Sequence, residues 1–319
     1  MPDVSRRAFL FSTASAAFAR PRQEPVFTAE IKVVNVLATV RDKKGAFVTN
    51  LTQDDFEIAE DNHPQKIRYF SRQTDLPLTI GLMVDTSASQ RRVIDAERSA
   101  SYRFFDSVLR EDKDQAFIVQ FDSAVQIRQP LTSSVRKLDD TLQYVDTETM
   151  EELRIQQGGG TLMYDAIAQA STDVMMSPAA RDGVRNQQRR RALVLLTDGV
   201  DVGSYGTTDD AVSAAQRADT LVFSILYSDP GAYGLFGGPD GRGVLQRISM
   251  ETGGGFFEVS KKYPIDQIYA DLETELRSQY NLGYVSDHPV TLSEFRGVHL
   301  SVKPKNLVVQ YRRRYWAKV

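Results

Sequence analysis

The chain has 319 residues, a formal net charge of −3, 41% hydrophobic and 25% charged residues, and no cysteine. It is long enough for one large globular unit or two modest ones, and its near-neutral balance argues against a general binder of polyanions such as nucleic acid. The lack of cysteine excludes disulfides, thiolate metal sites and thiol nucleophiles.

Residues 1–19, MPDVSRRAFLFSTASAAFA, place Arg6 and Arg7 ahead of a short apolar run, and Ala17-Phe18-Ala19 fits a small-x-small cleavage site. The run falls well short of the ~20 residues that span a bilayer, so it is expected to be an export signal. Ser5 to Leu10 resembles the twin-arginine consensus, which implies export to the periplasm or beyond after folding. No other stretch is long enough to cross a membrane, so the mature chain is expected to have no membrane span. Residues 20–25 read as a linker.

From Phe27 the pattern becomes β. Residues 31–41 alternate with dense β-branched side chains, and Asp42-Lys43-Lys44-Gly45 is a turn signal. Further short strands are predicted at Phe47-Val48, 56–60 and 67–70, with a turn at Asp61-Asn62. This β segment, within 20–75, is too small to be comfortable alone.

Between 76 and 279 the pattern changes again. Apolar runs at 78–84, 116–121, 192–197 and 220–226 are predicted buried strands, with a hairpin partner at 125–128 and a short strand at 255–259. Helical periodicity separates them: 90–109 (through Val93, Ala96, Ala100, Phe104, Phe105 and Val108), 133–145, 161–176, 208–218, 242–252 and 264–278. Strands that are apolar throughout and alternate with helices indicate an α/β fold, a doubly wound, mostly parallel sheet covered on both faces. From 280 to 319 β signals return at 280–285, 297–302 and 307–316. Neither terminal β segment makes a convincing core alone. They are expected to pair into one small β-sandwich in which the α/β domain is inserted.

The polar residues at the strand ends carry the chemistry. LMVDTSAS puts Asp85, Ser87 and Ser89 directly after the first α/β strand. LLTDGVD puts Asp198 after the third, and Gly158-Gly159-Gly160 delivers Thr161 at the start of a helix. α/β folds place ligands at carboxyl ends of strands. Two carboxylates and three hydroxyls are hard oxygen donors that suit Mg²⁺ or Mn²⁺ rather than zinc or copper. Such a set leaves a coordination position open to an Asp or Glu carboxylate of a protein partner.

VDTSAS, GGGTLMYDAI and LLTDGVD, in this order and spacing, resemble the von Willebrand factor type A domain, the fold shared with integrin inserted domains. The resemblance covers roughly residues 76–280. It implies that Asp85, Ser87, Ser89, Thr161 and Asp198 are the ligands of a metal-ion-dependent adhesion site, and that the last helix shifts on ligation. The β flanks resemble the von Willebrand factor type A-related proteins of acidobacteria, which implies architecture more than activity.

The remaining features read more plainly. Asp165 is expected to support the helix N-terminus or the site's periphery, and Asp201 to shape a turn. Tyr233, Leu235 and Phe236, on the loop 229–243, are positioned to grip a partner beside the metal or to fold onto their own domain. The basic run 185–191 reads as a solvated loop or helix end, and Arg312-Arg313-Arg314 as part of a charged edge strand. The three histidines lie in β segments, and no paired-histidine metal motif, nucleophile elbow or phosphate-binding loop is present. The expectation is a non-enzymatic, metal-dependent binding module. Two alternatives stay open: a Mg²⁺-dependent phosphoryl-transfer enzyme with Asp85 as nucleophile, disfavoured because Ser87 stands where an acid–base aspartate is needed, and a structural envelope protein with a non-functional site.

Overall fold

A computed structural model describes residues 33–72, 76–149, 151, 154, 159–181, 189–227 and 241–318. The expected signal, the linker and the Tyr233–Leu235–Phe236 loop tip lie outside the described residues. Among the described residues, no helix is long and apolar enough to cross a membrane.

Three sheets organise the chain. The largest contains β5 (Leu78–Asp85), β6 (Gln115–Phe121), β7 (Val125–Thr132), β8 (Arg190–Thr197), β9 (Leu221–Leu226) and β10 (Phe256–Glu258), in the order β10-β9-β8-β5-β6-β7. The pairs are parallel except β6–β7, the expected hairpin. Every residue of β5, β8 and β9 is buried, which is why these strands show apolar runs instead of alternation.

Helices cover both faces. α1 (Ile94–Val108), α2 (Val135–Leu142) and a C-terminal helix pack on one side, through Phe104, Phe105, Leu138, Ile268 and Leu272. α3 (Met163–Gln169), which continues as a π-helical turn, packs on the other with α4 (Pro178–Arg181), α5 (Thr208–Arg217) and α6 (Gly241–Thr252). The C-terminal helix of the first side is α7 (Ile265–Arg277). The buried face of α1 is rotated from the expected one near its start: Ile94 and Glu97 point inward, Ala96 outward.

The two flanks make one sandwich, as expected. One sheet runs β13 (Leu307–Tyr311), β1 (Val33–Asp42), β11 (Tyr280–Val285), β4 (Ile67–Ser71). The other runs β14 (Arg314–Ala317), β12 (Glu294–Val302), β2 (Phe56–Glu60), β3 (His63–Gln65). Each sheet mixes strands from both ends of the chain, and they share a core of Val36, Val40, Phe56, Ile58, Tyr280, Leu282 and Leu300. The chain leaves β4 for the α/β unit and returns into β11, and β4 and β11 are paired neighbours. The return is short and fastened. Glu275 in the last turn of α7 is buried and accepts Arg41 Nη2 at 2.7 Å and Gln310 Nε2 at 2.8 Å, from β1 and β13.

Two basic stretches differ from the expectation. Arg189, Arg190 and Arg191 are buried at the start of β8, not solvated. Their guanidinium groups reach backbone carbonyls of Leu78, Lys113, Leu276 and Met175 and the Asp219 carboxylate, so each charge is desolvated but partnered. Residues 307–316 are not one strand. The chain crosses from one sheet to the other at Arg312 and Arg313, between β13 and β14.

Candidate metal centre

Asp85 closes β5, and Asp198 follows β8 by one residue. These strands are parallel neighbours with Val84 opposite Leu196. Chain order reverses between them: β6 lies beyond β5, and β9 beyond β8. Both carboxylates therefore stand at the topological switch point, outside the carboxyl ends of the strands. Asp85 is fully buried and Asp198 nearly so.

Local hydrogen bonds hold the two loops. Ser87 N donates to Asp85 Oδ1 at 2.9 Å, and the Thr197 hydroxyl donates to Asp85 Oδ2 at 2.5 Å. Gly199 N donates to that same Thr197 oxygen at 3.0 Å, and Val200 N to Asp198 Oδ1 at 3.1 Å. A 3-10 turn, Ala88–Gln90, follows at once and brings the Ser87 and Ser89 hydroxyls within 3.1 Å of each other.

Thr161 arrives on a third segment. It exchanges both backbone hydrogen bonds with Val202, each 2.9 Å, and Leu162 N donates to Asp122 O at 2.8 Å. Asp122 in turn accepts the Thr86 hydroxyl at 2.8 Å. Gly160 permits this approach, since a Cβ there would lie 3.1 Å from Val202 O and 3.3 Å from Ser123 Cα. The segments carrying all five residues singled out from the sequence are thus hydrogen-bonded around one end of the sheet.

Asp165 and Asp201 act on the neighbouring loop. Asp165 accepts Tyr205 N and Gly206 N, both at 2.9 Å. Asp201 Oδ1 accepts Tyr164 N at 3.1 Å and the Ser204 hydroxyl at 2.6 Å. The loop they fix carries Val202, 52% exposed, and Tyr205, 99% exposed, beside Thr161.

Burial, and then the neighbouring Asp198 charge, push the Asp85 carboxyl up to about 7. Two crowded carboxylates in a dry place are a site in need of positive charge, and the serine and threonine oxygens beside them are hard donors. The residues present therefore fit a hard divalent cation. Among the described residues, no group of three or more His, Asp or Glu side chains is gathered to hold a metal, so a cation here would need the hydroxyls as well as the two aspartates.

Glycine sets how closely the loops approach. Gly199 has φ +81°, and a Cβ on Gly241 would lie 2.0 Å from the Asp198 carbonyl oxygen. Gly241→Ala is expected to displace the Asp198 loop, lowering stability by about 1–3 kcal/mol and divalent affinity by roughly tenfold or more. Urea denaturation and titration calorimetry read the two effects.

Sequence reasoning missed three residues here. Thr86 and Asp122 bind the segments together, and a hydroxyl directly after Asp85 was a signal for the first. Glu97 was also missed. It is fully buried, burial and then Asp85 and Asp198 hold its carboxyl well above the usual range, and neither oxygen has a hydrogen-bond partner.

Among solved structures, the chain is similar to von Willebrand factor type A from Catenulispora acidiphila (13% identity, TM-score 0.48, 83% of this chain and 75% of that one). It is also similar to BatB from Bacteroides thetaiotaomicron (16%, 0.44, 62% and 97%). A third likeness is to proximal thread matrix protein 1 from the mussel byssus, solved with a zinc-occupied MIDAS motif (15%, 0.48, 67% and 48%). No curated protein matches the sequence. Residues 79–271 match the von Willebrand factor type A domain, and with more than half of its length matched, the chain belongs to that family.

Proposed function

We propose that the chain is an exported, divalent-metal-dependent protein-binding module, with Mg²⁺ or Mn²⁺ as the ion. One observation carries the reading. Asp85 and Asp198 meet at the switch point of the sheet, with the paired Ser87 and Ser89 hydroxyls beside them. Family membership supports the same reading. Asp85, Ser87, Ser89, Thr161 and Asp198 would hold the ion. A bound divalent ion supplies a Lewis-acidic position for an oxygen of a partner's Asp or Glu.

The chain's own residues shape what approaches. The Asp165 and Asp201 hydrogen bonds stiffen the loop that shows Val202 and Tyr205 to solvent, so little loop entropy is lost when a partner docks there. Neutral hydroxyl donors leave more of the cation's charge unmet than carboxylates would, which favours an outside anionic oxygen. Export rests on the Arg6-Arg7 signal in the sequence.

The test uses full-length mature protein and a panel of immobilised peptides, each bearing one Glu or Asp between varied neighbours. Mg²⁺-dependent capture that EDTA abolishes, and that Asp198→Ala lowers by at least about 100-fold, is the expected result. Capture of the same peptides in EDTA, or by the Asp198→Ala chain, would overturn the reading. Phosphatase turnover lost with Asp85 would replace it by the enzyme alternative.

A further inference from the structure

Glu97 is the clearest expense in the α/β unit that folding alone does not explain. It lies on the inward face of α1, between Ile94 and Ser101. Its side chain is fully buried, and neither carboxyl oxygen has a hydrogen-bond partner. A buried polar group in that state is destabilising, and an apolar side chain at this position would pack at no such cost.

Its location ties it to the metal centre. Backbone bonds run from the ligand loop to Glu97 in three steps: Gln90 N to Ser87 O at 3.0 Å, Val93 N to Gln90 O at 2.9 Å, Glu97 N to Val93 O at 3.0 Å. The carboxylates whose charge it feels are Asp85 and Asp198. Tyr227, whose N–H bonds Thr197 O at 3.0 Å, and Tyr269, whose hydroxyl meets Ser101 Oγ at 2.9 Å, also lie within reach of its charge. Gln90 is fully buried too, and its Oε1 also lacks a partner. Two acceptor side chains with unmet hydrogen bonds thus lie behind the ligand loop, on the protein side of the expected ion.

We propose that Glu97 is a third acid of this centre, set behind Asp85 and Asp198, which strengthens divalent-ion binding through water and through the charge it takes on when the arriving ion displaces its proton. It is a positioning residue and not a direct ligand, since the described acids do not gather into a three-acid metal group. The inference rests on the proposed metal site. It adds that the interior of the domain, and not the rim alone, sets affinity, and that the metal-free fold is destabilised in exchange.

Titration calorimetry with Mg²⁺ and with Mn²⁺, on the full mature chain, tests it with Glu97→Gln, Glu97→Met and Asp198→Ala. Both Glu97 variants are expected to bind about tenfold more weakly or worse. In EDTA, Glu97→Met is expected to melt about 3–6 °C higher than the parent chain, and saturating Mg²⁺ is expected to narrow or reverse that difference, which a merely structural carboxyl would not produce. Asp198→Ala is expected to lose binding altogether. If it does and both Glu97 variants bind as the parent does, Glu97 has no part in the site and the inference falls while the metal site stands. If the parent chain binds neither ion, the metal reading fails and the inference with it.

Discussion

Replacing Glu60 with alanine is expected to cost about 3–5 kcal/mol of stability, because it strips the buried carboxylate from a buried arginine, Arg296, and leaves it only the half-exposed Glu294 at 3.4 Å. Glu60 ends β2 and is 2% exposed. It accepts hydrogen bonds from Tyr284 in the other sheet at 2.7 Å, from Tyr315 on β14 at 2.8 Å, from Ser286 at 2.6 Å and from Arg296 on β12 at 3.0 Å. Burial works to raise its carboxyl, but those four donors outweigh it and leave the group below the ordinary range. Arg296 also donates to the carbonyls of His288 and Pro289, at 2.8 and 3.0 Å, so it is locked in place and cannot follow solvent when Glu60 is gone. The double variant Glu60→Leu, Arg296→Leu is expected to be more stable than Glu60→Ala alone, since removing both charges ends the desolvation cost of either. Urea denaturation of the three chains checks the order. A Glu60→Ala chain as stable as the parent would show that the cluster contributes little.

The cluster joins strands from both ends of the chain, and that joining is legible in the sequence. Residues 33–42 and 280–311 each have strand patterning, yet neither segment can bury both faces of its own strands. Pairing across the insertion was the physical solution. The apolar runs of β5 and β8 likewise announced a covered parallel sheet, and the aspartates at their ends marked the edge where the loops converge. The chain's path at Arg312 was hidden, because strand-like composition continues straight through residues 307–316. What ends β13 there is tertiary. A Cβ on Gly253 would come within 2.5 Å of Arg312 N, and the Arg312 side chain bonds Asp219 and Asn35 O. Arg189 to Arg191 were misjudged for a related reason, since a basic run looks solvated until distant carbonyls are known to receive it. Glu97 was hidden because the inward stripe of α1, which holds Ala100, Phe104, Phe105 and Val108 as expected, can be extended back through either residue 96 or residue 97, and the apolar Val93 and Ala96 favoured the first.

Asp85→Asn is expected to weaken divalent binding by at least about 100-fold and yet to stabilise the metal-free chain at pH 8, by on the order of 2 kcal/mol. The two signs share one cause. Asp85 is fully buried beside Asp198, and its carboxyl titrates at about 7 against 3.8 for an ordinary aspartate. The folded chain therefore holds this proton more tightly than the unfolded chain does. Its contribution to metal-free stability is full below about pH 4 and is lost progressively as pH rises to about 7. A divalent ion binds the ionised form, so apparent affinity should rise with pH and level off above about 7, and saturating Mg²⁺ should flatten or reverse the stability slope. Asparagine keeps the shape that Ser87 N and Thr197 surround but has no charge to lose or to offer. Denaturation at pH 5 and pH 8, in EDTA and in Mg²⁺, measures all of this on two chains. The parent should be less stable at pH 8 than at pH 5 only when metal is withheld, relative to Asp85→Asn at the same pH. If Asp85→Asn is the less stable chain in EDTA at pH 8, the aspartate is a structural anchor for its loop. The cost that marks this strand end as a binding site would then not exist.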